Sequence, residues 1–426
     1  MKQPFTWDNY SDQPAQLKES TFKKQMRKKE LSSLIKTVLL TIVLFPISLF
    51  AMPFVKRKEV KSEEFFCMGV DFEREEKQTL ECIDELGVES VLVRFKLWEM
   101  EKLGQIESFL EKLQGKQITL KIMQDRENIE DLTLFAANLE KIFTKLHDKV
   151  TLFEIGTTIN RAKWGFFSVD EYNRFFSVAY ALKQEKFPDV KLIGSGVIDF
   201  EFHFTLHTLF NLFPYKYDGI SSLLYVDRRG APENTQMGFT LSDKIALLST
   251  MVWLSRKTPN KLYITETNWP LSGTAPYAPT SEKECVSEAE YTDYMLRYHY
   301  LAFASQQVDF VSWHQLIAAG YGLIDTRKKL RKREAYDAYK YMLKTLKSAQ
   351  FLRLDIKRNY YILQCWVDEQ LLQIHWAKYP TTLQNEDFYD VYDKLGNKVT
   401  DEELEVGSAP LYIFITKAVS QKINCI

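Results

Sequence analysis

The stretch 263–271, Tyr-Ile-Thr-Glu-Thr-Asn-Trp-Pro-Leu, offers one ionisable side chain where chemistry is easily done. Residues 261–265 are β-prone and mostly apolar, and Asn268, Pro270 and Gly273 then break the pattern, so Glu266 falls at the carboxyl end of a strand. A carboxylate there can attack an acetal carbon, and Trp269 beside it can stack on a sugar face. That combination points to cleavage of glycosidic bonds. The competing reading is a glutamate held in a structural ion pair.

The elements around this stretch must decide between the two. Short apolar runs are expected as strands at 65–70, 90–95, 117–123, 150–155, 191–197, 219–226, 261–265 and 309–315. Helical patterns separate them at 77–86, 106–113, 132–147, 170–186, 242–255 and 288–306, and a last one covers 333–346. Eight strands alternating with helices predict an α/β fold, a closed (β/α)8 TIM barrel, whose strand ends carry the chemistry. An open, doubly wound sheet would need a glycine-rich phosphate turn, and the sequence has no GxGxxG or GxxxxGK. Beyond residue 349 the pattern changes to period two, at 352–356, 360–367, 371–376, 388–392 and 411–415. A small C-terminal antiparallel β domain over 349–426 is the expectation, with the barrel confined to 65–348.

The chain has 426 residues, and its net charge of -1 conceals an asymmetry. Residues 1–61 hold 12 Lys/Arg against 5 Asp/Glu, or +7, which leaves -8 for the remainder and argues against a nucleic-acid partner. Five scattered cysteines without CxxC or Cys/His spacing imply no zinc site, and no cofactor is expected. Residues 1–30 read as a disordered basic tail, 31–55 as a transmembrane anchor and 56–64 as a linker. Residues 37–55 carry no charge, and 19 residues span about 28 Å as a helix, close to the hydrocarbon thickness. More positive charge precedes the apolar run than follows it. The expected protein is therefore single-pass in the inner membrane, with its amino terminus inside and its large domain extracytoplasmic.

Three pieces resemble clan A of the retaining glycoside hydrolases, the TIM-barrel group that includes β-xylosidase-like enzymes. They are FEIGTTINR at 153–161 with Lys163 and Trp164, ITETNW at 264–269, and SWHQL at 312–316 with GYGLID at 320–325. The segments 393–396 and 408–412 resemble that clan's small β domain, so the likeness runs over about 65–420. The resemblance implies Glu266 as nucleophile. Clan members present Asn-Glu after the fourth strand, the Glu being the acid/base, whereas the matching positions here are Thr157 and Thr158. In this the chain is more similar to divergent glycosidase-like barrels of bacterial envelope-polysaccharide loci.

A threonine hydroxyl cannot serve as the acid, because its pKa lies far from the working pH. Asp227, after the sixth strand, is the first substitute, with Asp199, Glu201, His314 and Glu154 behind it; a rim salt bridge is the other reading of Asp227. Alternatively hydrolysis is lost and the barrel binds or helps assemble glycans. Trp164, Trp269, Trp313, Tyr225 and Tyr321 would then supply stacking faces, and Arg94, Thr158, Asn160, Arg161, Arg228, Arg229, Asn268 and His314 the polar contacts. The expected partner is an oligo- or polysaccharide, and the arginines suit an anionic one.

Overall fold

A computed structural model describes residues 5–227, 230–386 and 389–415. Eight parallel strands close into a barrel: β1 (Phe66–Val70), β2 (Ser90–Lys96), β3 (Gln117–Met123), β4 (Leu152–Ile155), β5 (Leu192–Ile198), β6 (Gly219–Leu223), β7 (Leu262–Thr267) and β8 (Phe310–Trp313). The last strand pairs with the first, Trp313 opposite Met68, so no edge is left.

Side chains alternate along each strand, and this sorts the barrel interior into layers. Cys67, Leu92, Leu152, Ile193, Tyr263 and Phe310 form an apolar floor. Two residues further along β2 and β4 the same inward face presents Arg94 and Glu154, and Lys121 of β3 lies between them in the pairing register. Helices cover the outside. Their starts are fixed by side-chain caps, as at Asp131 and Ser168, and by capping boxes at Thr240/Asp243 and Ser287/Glu290.

The carboxyl-terminal region forms a six-stranded antiparallel sheet in the order Gln350–Lys357, Tyr360–Val367, Gln370–Ala377, Leu411–Ile415, Tyr389–Tyr392, Lys398–Val399. The start of the expected strand at Phe388, and everything after residue 415, lie outside the described residues. Buried Trp376 and Tyr412 join this sheet to the barrel helix Glu288–Ser305. Tyr412 shares a hydroxyl–hydroxyl bond with Tyr300, and the Trp376 ring packs against that of Tyr300 with centroids 5.7 Å apart.

The amino-terminal region departs from expectation. In place of a disordered tail, Trp7–Asp8 pairs with Gln13–Pro14 in a small hairpin, and helix α1 (Ser20–Lys29) follows. The physical reason is that the barrel supplies partners for polar groups that sequence alone would leave in water. Glu30, at the break before helix α2 (Leu31–Ala51), accepts from Ser168 Oγ at 2.6 Å and pairs with Arg174 at 3.2 Å.

Helix α2 is about 31 Å long at 1.5 Å per residue and runs along the outside of the barrel. One face is tied down by Lys36–Asp170 at 2.8 Å, Thr37–His207 at 2.8 Å and Phe45 stacked on Phe202 at 4.7 Å. The other face leaves Leu34, Ile42 and Phe50 exposed at 58%, 65% and 77%. Past this helix, the Lys58 ammonium bonds Asp309 beside the start of β8. Residues 5–58 therefore strap the barrel from its rim to its base.

Because the floor is packed from all sides, Ile193→Ala should lower stability by about 2–5 kcal/mol, read by urea unfolding with tryptophan fluorescence.

Candidate active site

The floor seals one end of the barrel, so a cavity can open only at the carboxyl rim. One of about 220 Å³ lies there, lined by Arg94, Thr158, Arg161, Lys163, Trp164, Asp199, Tyr225, Glu266, Asn268, His314 and Tyr321, with Ser11, Asp12 and Gln13 reaching in from the hairpin.

Glu266 is brought in by an irregularity in pairing. Val311 lies opposite Ile264 and Trp313 opposite Thr267, so a single β8 residue faces both Thr265 and Glu266. This bulge frees the pair from strict alternation. Thr265 Oγ1 donates to Glu154 Oε1 at 2.8 Å, and Glu266 Oε2 receives Lys121 Nζ at 3.2 Å; both side chains point inward.

Lys121 is the hub beneath the cavity. Its ammonium, 1% exposed, lies 3.2 Å from Glu266 and 3.5 Å from Glu154. Tyr225 donates to Glu266 Oε1 at 2.7 Å. Burial alone would raise the Glu266 carboxyl, but Lys121, the Tyr225 hydroxyl and Arg94, joined by His314 once that ring is protonated in acid, outweigh it and hold it at about 2, ionised at neutral pH. Glu154 goes the other way: burial, reinforced by the charge of Glu266, pushes its carboxyl up against the pull of Lys121, Thr265 and Ser221. It is fully buried below the cavity and cannot reach a substrate.

His314 stacks on Tyr321 with ring centroids 5.3 Å apart, and burial drives its imidazole down to about 3, so the ring is neutral. Asn268 Nδ2 donates to the His314 carbonyl at 2.5 Å and braces that strand end. Thr158 holds a positive φ of 52° with its hydroxyl 3.3 Å from that of Thr157. Burial lowers the Lys163 ammonium to about 8, helped by Arg161 and opposed by Asp8.

Several expected residues lie elsewhere. Asp227 does not line the cavity. It lies four residues beyond the end of its strand at Leu223, near Lys244. Trp269 and Trp313 are core: they are 1% and 0% exposed, stack on each other at 5.9 Å, and spend their indole N–H groups on Gly230 O and Tyr291 Oη. Asn160 bonds Ile198 O and Glu201, a loop tie away from the cavity. Arg161 does line it, engaged by Asp199 at 2.7 Å and Glu201 at 2.5 Å. Arg228 and Arg229 lie outside the described residues.

Sequence reasoning passed over Lys121 and Asp12. Lys121 had a signal, because Arg94, Lys121 and Glu154 are each charged residues within apolar strand patterns and are register neighbours. Nothing in the tail marked Asp12. Among the described residues no group of three His, Cys, Asp or Glu side chains could hold a metal ion.

No protein-family model matches the chain, and no curated protein does. Solved structures do. A family 39 glycoside hydrolase from Bacteroides cellulosilyticus WH2 is similar with a TM-score of 0.63 at 14% identity, over 84% of this chain and 82% of that one. A GH30 endoxylanase from Clostridium papyrosolvens C71 gives 0.57 at 9%, covering 84% and 97%. A GH51 arabinofuranosidase from Xanthomonas axonopodis pv. citri gives 0.55 at 12%, also covering 84% and 97%. What is shared at this level of identity is the TIM-barrel fold.

Replacing Lys121 by Met would leave two carboxyls buried without their cation, at a cost of about 3–5 kcal/mol at neutral pH. With folded-state pKa values then raised above the unfolded ones, the deficit should grow as pH rises and shrink toward about pH 4. Urea unfolding of both proteins across that range measures it.

Proposed function

We propose that this chain is a membrane-attached, glycoside hydrolase-like protein acting on an oligo- or polysaccharide of the cell envelope, with Glu266 as nucleophile and no metal or organic cofactor. The observation that carries the reading is an ionised glutamate at the end of β7, steadied by Tyr225 at 2.7 Å and opening on a rim cavity. That is where a (β/α)8 barrel places its chemistry. Trp164 remains as a stacking face, while Arg94, Thr158, Arg161 and Asn268 line the same cavity and serve as polar contacts. Attack of a Glu266 oxygen on the anomeric carbon would form a glycosyl ester as the C–O bond breaks and the leaving group departs as its oxyanion; water then attacks the same carbon, freeing the carboxylate and yielding the proton that neutralises the oxyanion through solvent.

The binding or assembly reading draws on a different observation. The positions matching the clan's acid/base are the buried Thr157 and Thr158, and Asp199 and Glu201 are engaged by Arg161. An aryl glycoside with a good leaving group separates the two readings, since it needs little acid help. Turnover by the full chain in detergent is expected, with Glu266→Gln lowering kcat/KM by at least about 10³-fold. The depressed Glu266 carboxyl also predicts no acidic limb from the nucleophile between pH 7 and about 4. Failure to cleave any common aryl glycoside, with a polysaccharide still bound, would favour the binding protein.

Membrane attachment draws on Leu31–Phe54, long and apolar enough to cross a bilayer, and on the outward apolar face of α2. In the strapped arrangement the hairpin and the barrel lie on one side, so attachment is through that face. A single pass with the tail across the inner membrane would require the hairpin to leave the rim. Co-sedimentation with phosphatidylglycerol vesicles is expected, and Ile42→Asp with Phe50→Asp should weaken it. Protease added outside sealed vesicles should cut an amino-terminal tag and the barrel together; a protected tag would indicate the spanning topology instead.

A further inference from the structure

The hairpin does more than cover the rim. Asp12, at a positive φ of 54°, drives its carboxylate into the wall of the cavity that holds Glu266, where its side chain is 2% exposed. There Oδ2 accepts from Arg94 and from Tyr321 Oη at 3.2 Å, and it forms an ion pair with Arg74 Nη2 at 3.0 Å. Burial opposes the charge on Asp12, but Arg94 and Arg74 override it and hold the carboxyl well below the usual range.

Arg94 belongs to the barrel itself, and Asp12 does not. The remaining anion of this cluster, Asp71, is shared between Arg74 Nε at 3.2 Å and Arg94 Nη2 at 3.5 Å. With Asp12 removed, two guanidinium groups face one carboxylate, and a buried positive charge is left over beside the sugar site. The rest of the hairpin covers what a saccharide would need. Trp7 packs edge-on against Trp164 at 5.9 Å, and Gln13 takes the Lys163 ammonium at 2.5 Å. Ladders of two residues hold weakly on their own, so a ligand can compete with this segment.

We propose that the Arg94/Arg74/Tyr321 pocket is a carboxylate subsite for an acidic sugar, and that residues 7–14 occupy it as an internal pseudo-ligand that such a sugar displaces. The proposal deepens the reading of the Glu266 cavity as a sugar site and rests on it. A uronate carboxylate would replace that of Asp12 on the two arginines, and the vacated Trp164 face would take the pyranose ring.

The test uses the full chain in detergent, titrated calorimetrically with sodium glucuronate, trigalacturonate and glucose. Asp12→Asn keeps the side-chain shape and removes the competing charge. It should bind the two uronates at least about tenfold more tightly than the unsubstituted chain, the order expected for a freed charge-assisted hydrogen bond, and leave glucose unchanged. Adding Arg94→Gln to Asp12→Asn should abolish the gain, and amides of residues 7–14 should exchange faster when a uronate is bound to the unsubstituted chain. A folded Asp12→Asn chain with no gain, or with an equal gain for glucose, overturns the proposal, as does an unchanged exchange rate at saturating uronate. Binding is read without turnover. A chain inert toward aryl glycosides can still pass, and an active chain with no uronate preference defeats this proposal alone.

Discussion

The barrel interior is organised by one ammonium group. Lys121 lies within 3.5 Å of both Glu154 and Glu266 in a space almost without solvent, where a lone charge of either sign would cost several kcal/mol. It pulls both carboxyls down, and the rest of their surroundings shifts them in opposite directions. The lower one is sealed under the cavity, its carboxyl raised by burial and by the nearby negative charge; the upper one also draws on Tyr225 and Arg94 and stays ionised. Two carboxyls driven apart in this way are a common device of active sites, although here only one faces the cavity.

Charge compensation continues upward as a ladder. Arg94 is the register neighbour of Lys121, and it meets Asp12 from the far end of the strap, with Asp71 and Arg74 at the side. Each charge meets an opposite one, and the top rung is contributed by a piece of chain that the barrel strands do not hold. The same strap carries the exposed apolar face of α2, so the segment at the barrel mouth is continuous in the chain with that face.

Where sequence and structure diverge, the cause is packing. The Trp beside Glu266 suggested a sugar platform, yet Trp269 turns inward onto Trp313 because the buried helix Glu288–Ser305 offers Tyr294 and Tyr298 as neighbours. Trp164 stays on the loop after β4, at the rim. Asp227 follows the sixth strand in sequence, but that strand stops at Leu223, and of the residues just beyond it Tyr225 lines the cavity while Asp227 does not. Strand ends shift by a few residues under packing, and a shift of that size decides whether a side chain faces the cavity.

By itself the sequence determined the repeating strand–helix pattern, the change to period two after residue 349, the long apolar run and the placing of Glu266 at a strand end. Those follow from periodicity and local breakers, which act over a few residues. Only the tertiary structure decided that a bulge turns Glu266 inward, that Lys121 meets it from four strands away, and that Asp12 returns across the barrel to Arg94. Such contacts join residues 82 to 145 positions apart, and they are chosen by closure of the barrel and by the cost of leaving a buried charge alone.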